Sequence, residues 1–203
     1  MTVTARDIVT FADDLGPAGV SRWVGGHGPS PAFPVVPPDP AWPQVYAALA
    51  GVIRDALGER ALALEHVGST AVPGLAAKPV IDIDLTVADS DDEASYVPAL
   101  EPHGFVLVLR EPWWYGHRLL RQRRPRCHVH VFSPDCAEAE RHRIFRDWLR
   151  ARPDDRALYA EAKAAAAEET AAAGGHMMDY NARKQEVLRE IYARAFRELG
   201  LHA

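Results

Sequence analysis

Two common residue types are scarce in this sequence. Its 203 residues include only two cysteines, Cys127 and Cys136, which is too few for a disulfide framework, and neither has partners at zinc-finger spacing. We therefore predict two free thiols. Lysine is also rare, with three residues against twenty arginines. In a composition that favours arginine, these lysines indicate positions where a compact ammonium group is needed.

The sequence also lacks long hydrophobic runs. No apolar stretch approaches the roughly 18 residues that a membrane-spanning helix needs. The N-terminus does not begin with a basic segment followed by an apolar one, which is the pattern of a secretory signal. Both absences predict a cytoplasmic protein without membrane contact. Hydrophobic residues make up 48% of the chain, enough to bury a full core.

A net positive charge is absent as well. The formal charge is −5 and the isoelectric point lies near 6.0. Long nucleic acids are usually bound by a basic face, so they are not expected as partners. Small charged substrates remain possible on this composition.

Positive charge is nevertheless concentrated in one short segment. It forms a solvated hairpin, or it binds a triphosphate or a second anionic substrate through the bidentate guanidinium fork. The sequence leaves both interpretations open. The arginines concerned fall within nine residues and are Arg118, Arg121, Arg123, Arg124 and Arg126.

The hydrophobic pattern predicts an α+β fold, with a mixed β-sheet flanked by helices and a helical C-terminal half. Residues 1–34 are rich in proline and glycine and are predicted to form an N-terminal extension, with a short helix near 5–15, while residues 35–203 form the domain. Predicted strands cover 61–67, 80–87, 105–109, 115–121 and 127–132. Predicted helices cover 45–57, 93–103, 136–151, 154–172 and 179–199.

Two acids stand in an apolar run, Asp82 and Asp84 in Val80-Ile-Asp-Ile-Asp-Leu-Thr-Val87. Alternation along a strand places both carboxylates on one face. Such a pair can share a divalent cation, and Mg²⁺ takes one or two protein carboxylates together with substrate phosphates. Upstream, the Gly68-Ser69 turn offers N–H groups and a hydroxyl for those phosphates. Each motif alone is also typical of an exposed strand or an ordinary turn.

Several separated motifs resemble the GrpB-like family, a branch of the nucleotidyltransferase superfamily typified by polymerase beta. The longest is His66-Val-Gly-Ser-Thr-Ala-Val-Pro-Gly-Leu-Ala-Ala-Lys-Pro-Val-Ile-Asp-Ile-Asp84. The resemblance covers about residues 35–199 and implies a nucleotidyltransferase-like fold more firmly than it implies a reaction. The other blocks are Pro38-Asp-Pro-Ala-Trp42, Cys127-His-Val-His-Val131, Phe145-Arg-Asp-Trp-Leu-Arg150, Tyr159-x-x-x-Lys163 and Tyr180-x-x-x-Lys184.

The resemblance implies a role for each part of the motif. Asp82 and Asp84 would bind one or two metal ions that orient the phosphates of a nucleoside triphosphate. Gly68 and Ser69 would hold the triphosphate, and a small molecule would accept the nucleotidyl group. Mg²⁺ or Mn²⁺ is the expected metal.

The sequence departs from that pattern at one place. Two-metal nucleotidyl transfer generally uses a third acid on a later strand, and the corresponding strand here carries His128 and His130. Both imidazoles share a face of the strand and can point at the acidic pair, where either can act catalytically and His130 can be a metal ligand. Because histidine favours Zn²⁺, Mn²⁺ or iron over Mg²⁺, Zn²⁺ is a further possibility.

The C-terminal helices are predicted to close the pocket. Lys163 and Lys184 each stand four residues after a tyrosine, on one helical face, and are expected on substrate phosphates with Lys78 and Tyr180. Amphipathic packing is the alternative. Arg146 is expected to face the site while also binding its neighbour Asp147. His142, four residues before Arg146, either joins it at the site or lies at the surface, and the surface position is the one expected.

Three functions are therefore compatible with the sequence. The first is a metal- and NTP-dependent nucleotidyltransferase acting on a small-molecule acceptor. The second is a protein that binds a nucleotide or a phosphorylated metabolite without transferring it. The third is a His/Asp metal site that catalyses chemistry unrelated to nucleotides.

Overall fold

A five-stranded mixed sheet forms the centre of the computed structural model, which describes residues 2–12, 16–30 and 34–202. The strands are β1 Ala63–Val67, β2 Ile81–Thr86, β3 Val106–Glu111, β4 His117–Arg123 and β5 Arg126–Phe132. Their spatial order is β1-β2-β5-β4-β3, in which only the central β2–β5 pair is parallel. The predicted α+β fold with a mixed sheet is confirmed.

Helices flank the sheet and make up the C-terminal half, as predicted. Part of the predicted helix near 5–15 lies outside the described residues. The α-helices are α1 Ala5–Val9, α2 Trp42–Leu57, α3 Val97–Leu100, α4 Ala137–Ala151, α5 Pro153–Ala172, α6 Met177–Arg183 and α7 Gln185–Glu198.

Two predicted helices are interrupted. The segment 93–103 forms only the short α3 between two 3-10 turns, Glu93–Ser95 and Glu101–His103. Pro98 and Pro102 each stand in the first turn of their own short element, where a missing N–H is tolerated, and so they divide the segment. The predicted helix 179–199 is divided at Lys184 into α6 and α7.

The alternation along β2 separates core from site. Ile81, Ile83 and Leu85 are at most 2% exposed and pack with residues of α2 and α3. Full burial of one such side chain contributes about 1.5–3 kcal/mol, so the register of β2 is strongly fixed. Asp82 and Asp84 consequently face the C-terminal helices on the opposite side of the sheet.

The N-terminal segment is held against those helices. Ile8 packs with Tyr192 and Phe196 of α7. Arg141 of α4 is fully buried and donates hydrogen bonds to the carbonyl oxygens of Asp7 and Ile8. This packing brings the beginning of the chain to the side of the sheet that carries Asp82. The division into an extension and a domain stays a prediction.

Candidate metal centre and anion-binding cavity

Three potential metal ligands meet at the centre of the sheet. Because β2 and β5 are parallel neighbours, Asp82 lies opposite His128, and Asp84 lies opposite His130. Nδ1 of His128 is 3.4 Å from Oδ1 of Asp82, and Nε2 of His130 is 3.8 Å from the same oxygen. The donor atoms of Asp82, His128 and His130 all lie within 4.8 Å of one another.

The donor set and its spacing fit a divalent ion. Bonds of about 2.0–2.2 Å around a tetrahedral zinc place neighbouring ligand atoms roughly 3.4 Å apart. Burial by itself would raise the pKa of Asp82, but hydrogen bonds from His128 and His130 outweigh it and hold that pKa well below its usual range. Asp82 is thus an ionised ligand near neutral pH. Two imidazoles and one carboxylate suit Zn²⁺ or Mn²⁺ better than Mg²⁺.

Position 68 requires glycine because its backbone lies close to the Asp82 carboxylate. It follows β1 with φ +68°, a region that other residues rarely adopt. A Cβ atom built at this position would lie 2.5 Å from Oδ2 of Asp82. Any side chain here would displace the carboxylate or the turn, so the Gly68-Ser69 turn approaches the predicted metal site as closely as its backbone permits.

Asp84 shares the face of Asp82 but has another partner. Nδ1 of His142, on α4, lies 3.1 and 2.9 Å from its two carboxylate oxygens, and Nε2 of His142 lies 3.5 Å from Glu138. Although burial favours a neutral ring, Asp84 and Glu138 raise the pKa of His142 well above its usual value. The expectation that His142 lies at the surface is wrong, because it is half-buried between two acids. Direct metal binding by Asp84 stays a prediction.

A chain of hydrogen bonds supports His130 from behind. Its Nδ1 lies 3.0 Å from Nε2 of His117, and Nδ1 of His117 lies 2.9 Å from Glu111, which also accepts a hydrogen bond from Arg22. Burial lowers the pKa of His117 to about 4, against the opposing effect of Glu111, so the ring is neutral. If His117 donates to Glu111 and accepts from His130, Nε2 of His130 keeps its lone pair for a metal.

Replacement of His117 is expected to weaken metal binding without removing a ligand. His117→Phe keeps a flat ring but cannot accept the hydrogen bond of His130, so we expect roughly 10- to 100-fold weaker Mn²⁺ or Zn²⁺ binding in calorimetry. His202→Ala, at an exposed position, is the matched control. Unchanged affinity in a folded His117→Phe protein would show that the chain of hydrogen bonds does not position His130.

All three lysines of the protein converge beside this centre. Lys78, Lys163 and Lys184 line one cavity of about 320 Å³ together with Asp82 and the two histidines of β5. They come from the loop before β2, from α5 and from the junction of α6 and α7, which are far apart in sequence. The predicted residues Gly68, Ser69 and Tyr180 line the same cavity.

Each ammonium group has a local partner, but none of these partners is a carboxylate. Lys78 lies 3.1 Å above the centre of the Tyr180 ring. Lys163 is 2% exposed and donates to the carbonyl oxygen of Ala76. Lys184 donates to the hydroxyl of Tyr159 at 3.0 Å. The cavity therefore concentrates positive charge next to an acidic metal centre.

This crowding makes two of the lysines easier to deprotonate. Burial, followed by the charge of Lys184, lowers the pKa of Lys78 to about 8 and that of Lys163 to about 7. Lys78 and Lys163 thus begin to lose their charge close to neutral pH. A bound anion favours the charged form of each ammonium group and therefore raises the pKa of both lysines.

A second cavity of about 420 Å³ adjoins the first and shares Gly68, Ser69 and Lys184 with it. Arg146 lines this second cavity and binds Asp147, as predicted, through bonds of 2.8 and 3.0 Å. The same guanidinium group also donates to Glu65 and to the carbonyl of His66. Its part in substrate binding stays a prediction.

The arginine-rich segment divides into two groups. Arg118 is 6% exposed and binds Asp91 and Glu93, so it supports the structure rather than a ligand. The arginines nearer the β4–β5 turn line a separate groove that begins at His128. Sequence alone did not distinguish these two environments.

No helix within the described ranges is long and apolar enough to cross a membrane.

Comparison with known proteins identifies the family. The profile of the family described as GrpB protein matches residues 33–194. A UPF0157 protein of Halalkalibacterium halodurans is 46% identical over 157 residues, which cover 77% of this chain and 79% of that protein. A dephospho-CoA kinase of Mycolicibacterium paratuberculosis is 33% identical over 93% of this chain but only 50% of its own length.

A solved structure agrees with the sequence matches. The crystal structure of conserved protein GrpB from Enterococcus faecalis superimposes with a TM-score of 0.71 and 29% identity, covering 82% of this chain and 99% of that one. The fold and the sequence motifs therefore lead to the same assignment. This chain belongs to the GrpB family, within the nucleotidyltransferase-like superfamily.

Proposed function

We propose that this protein binds a nucleoside triphosphate together with a divalent metal ion and transfers its nucleotidyl group to a small-molecule acceptor. One observation carries the proposal: the only three lysines of the chain meet in a single cavity with Asp82, His128 and His130. The three ammonium groups repel one another, and the pKa values of Lys78 and Lys163 are lowered. The arrangement therefore destabilises the folded protein unless an anion is bound.

The residues of the site divide the work by charge. Lys78, Lys163 and Lys184 offer point charges to phosphate oxygens, and the Gly68-Ser69 turn, which lines the same cavity, would add backbone N–H donors. Asp82, His128 and His130 would hold the metal, which supplies positive charge that neutralises the phosphates. Since His142 is held in its charged form by Asp84 and Glu138, it contributes positive charge and cannot accept a proton.

The proposed transfer requires little covalent chemistry from the protein. An oxygen of the acceptor forms a bond to the α-phosphorus, the bond from that phosphorus to the bridging oxygen breaks, and pyrophosphate leaves. The acceptor's proton passes to solvent. Positioning and charge stabilisation are the protein's main contributions in reactions of this class.

A second candidate is metal-assisted chemistry without nucleotidyl transfer. It is favoured by the engagement of Asp84 with His142 and by the histidines that occupy β5 in place of a third acid. The match to half of a dephospho-CoA kinase supports a phosphorylated small molecule as ligand in either case.

The proposal is tested by thermal unfolding with ATP, GTP, CTP or UTP, each with Mg²⁺, Mn²⁺ or Zn²⁺, followed by assay of pyrophosphate release. A ligand at 100 times its dissociation constant stabilises by about 2.7 kcal/mol, which raises the midpoint of a protein of this size by roughly 5–10 °C. We expect such a shift for one nucleotide only with metal present. A shift with metal alone, and none with any nucleotide, would favour the second candidate.

Anion binding is expected to weaken as the pH rises. Sulfate keeps a constant charge between about pH 6 and 9, whereas Lys163 and Lys78 deprotonate with pKa values of about 7 and about 8. Sulfate affinity should therefore fall about tenfold or more across this range, with proton uptake on binding above pH 7. Calorimetry in buffers of different ionisation enthalpy measures both quantities, and a flat affinity profile would contradict a role for these lysines.

A further inference from the structure

The row of residues that contains the metal centre continues across the sheet to an arginine. Asp82 lies opposite His128 in the β2–β5 pair, and His128 lies opposite Arg121 in the β5–β4 pair. Neighbouring strands are 4.7–4.9 Å apart, so Arg121 is placed roughly 10 Å from Asp82 along the sheet. Side chains at directly opposed positions share a face. Arg121 therefore stands on the metal-binding face of the sheet.

The hairpin tip adds further arginines on this side. Arg123 and Arg126 oppose each other at the ends of β4 and β5, and Arg124 lies in the two-residue turn between them. All three are exposed. Within the described residues, no carboxylate pairs with Arg123 or Arg124. The hairpin thus presents a concentrated positive charge on a protein whose net charge is −5.

These arginines line a groove of about 980 Å³, larger than the lysine cavity. His128 and Val80 line both spaces, so the groove borders the metal centre at His128. Four arginines border the groove, and its lining among the described residues includes no aspartate or glutamate. Nε of Arg121 is a buried donor with no hydrogen-bond partner there.

The groove also has an apolar side. Val106 is 43% exposed in it, and Val108 and Pro29 line it as well. A bare inorganic ion would leave this surface in water, whereas an organic molecule with an anionic group would cover it. The volume is in the range of pockets that bind small organic ligands.

We propose that this groove binds the second substrate, a phosphorylated organic molecule whose phosphate contacts Arg121, Arg123 and Arg124 and whose reactive end reaches the metal centre past His128. The role of this ligand as acceptor rests on the proposed function, because the acceptor is the second substrate of that nucleotidyl transfer. Binding of the anion to the groove is a separate physical event and is measured without metal or nucleotide.

The test is calorimetric titration of the full chain with pyrophosphate in the presence of a chelator. The wild-type protein should show two binding events, one in the groove and one in the lysine cavity. Arg123→Gln/Arg124→Gln should weaken one event about tenfold or more, as expected for the loss of charged hydrogen bonds. Arg54→Gln/Arg197→Gln removes the same charge from exposed positions elsewhere and should leave both events unchanged.

Lys163→Met separates the two proposals. It should weaken the other event and leave the groove event intact. If the arginine pair changes neither event, or if Arg54→Gln/Arg197→Gln weakens binding equally, the groove assignment is overturned while the lysine cavity stands. If only Lys163→Met is without effect, the phosphate role in the proposed function fails and the groove assignment stands. Because Arg123 and Arg124 are exposed at a turn, the variant is expected to unfold at the wild-type temperature.

Discussion

Asp82→Asn is expected to reduce Mn²⁺ or Zn²⁺ affinity by roughly 100-fold or more, because it removes the only ionised oxygen of the three-residue centre. The replacement has the same shape and the side chain is partly exposed, so the variant should fold, but it loses the interactions with His128 and His130 that lower the pKa of Asp82 and should unfold at a somewhat lower temperature. Isothermal calorimetry with each metal measures the effect. Asp55→Asn, an exposed substitution of the same chemistry on α2, should leave the affinity unchanged.

Asp84→Asn then distinguishes a ligand from a positioning residue. If Asp84 is a direct ligand, Asp84→Asn should reduce metal affinity as much as Asp82→Asn does. If Asp84 only binds His142, as in this structure, Asp84→Asn should reduce metal affinity much less. The pKa of His142 should then fall, because the neighbouring negative charge is lost. Chemical-shift titration of the His142 ring reports that change. Normal metal binding by Asp82→Asn would exclude the proposed centre altogether.

Lys163→Met should make the protein more stable while weakening its binding of anions. Lys163 is 2% exposed and its pKa is lowered to about 7 by burial and by the other two lysines. Replacing a buried ion pair by apolar side chains of similar volume is often stabilising by about 1–4 kcal/mol, and we expect a gain of the same order for this ammonium group, whose partner is a carbonyl oxygen. Loss of the hydrogen bond to the carbonyl of Ala76 offsets part of this gain. Sulfate affinity should fall about tenfold or more.

The pH dependence of this stabilisation is itself diagnostic. The folded-state pKa of Lys163 is lowered, so between about 7 and the unfolded value of 10.5 the unfolded chain binds more protons, and wild-type stability rises with pH. The advantage of Lys163→Met should be largest below about pH 7 and shrink as the pH rises toward 10.5. Denaturant unfolding of both proteins at several pH values measures the difference. A destabilised variant at neutral pH would show that the buried ammonium group stabilises the fold.

The sequence predicted the parts of the site that depend on alternation within a strand. Asp82 with Asp84, and His128 with His130, share faces because side chains two apart in a strand must do so, and the parallel pairing of β2 with β5 brings the two pairs together. The scarcity of lysine was also informative. Three lysines that are far apart in sequence converge on one cavity.

The sequence did not indicate the supporting residues, because their contacts depend on long-range packing. His117 and Glu111 meet through the β3–β4 pairing, and neither lies in a recognisable motif. His142 reaches Asp84 only because α4 packs across the sheet, and its spacing from Arg146 did not by itself indicate that contact. The sequence also did not predict the interruption at Lys184, because the helical pattern is continuous over residues 179–199.

The most direct test of a shared metal and phosphate site is ³¹P nuclear magnetic relaxation of pyrophosphate in the presence of the protein and Mn²⁺. Because Asp82, His128 and His130 border the same cavity as the three lysines, protein-bound Mn²⁺ should strongly accelerate phosphorus relaxation in the wild-type protein. Asp82→Asn should abolish that enhancement by removing the metal, and Lys163→Met should reduce it strongly by weakening phosphate binding in the lysine cavity. If the protein binds Mn²⁺ and pyrophosphate independently and relaxation is not enhanced beyond that of free Mn²⁺, the two do not share a site.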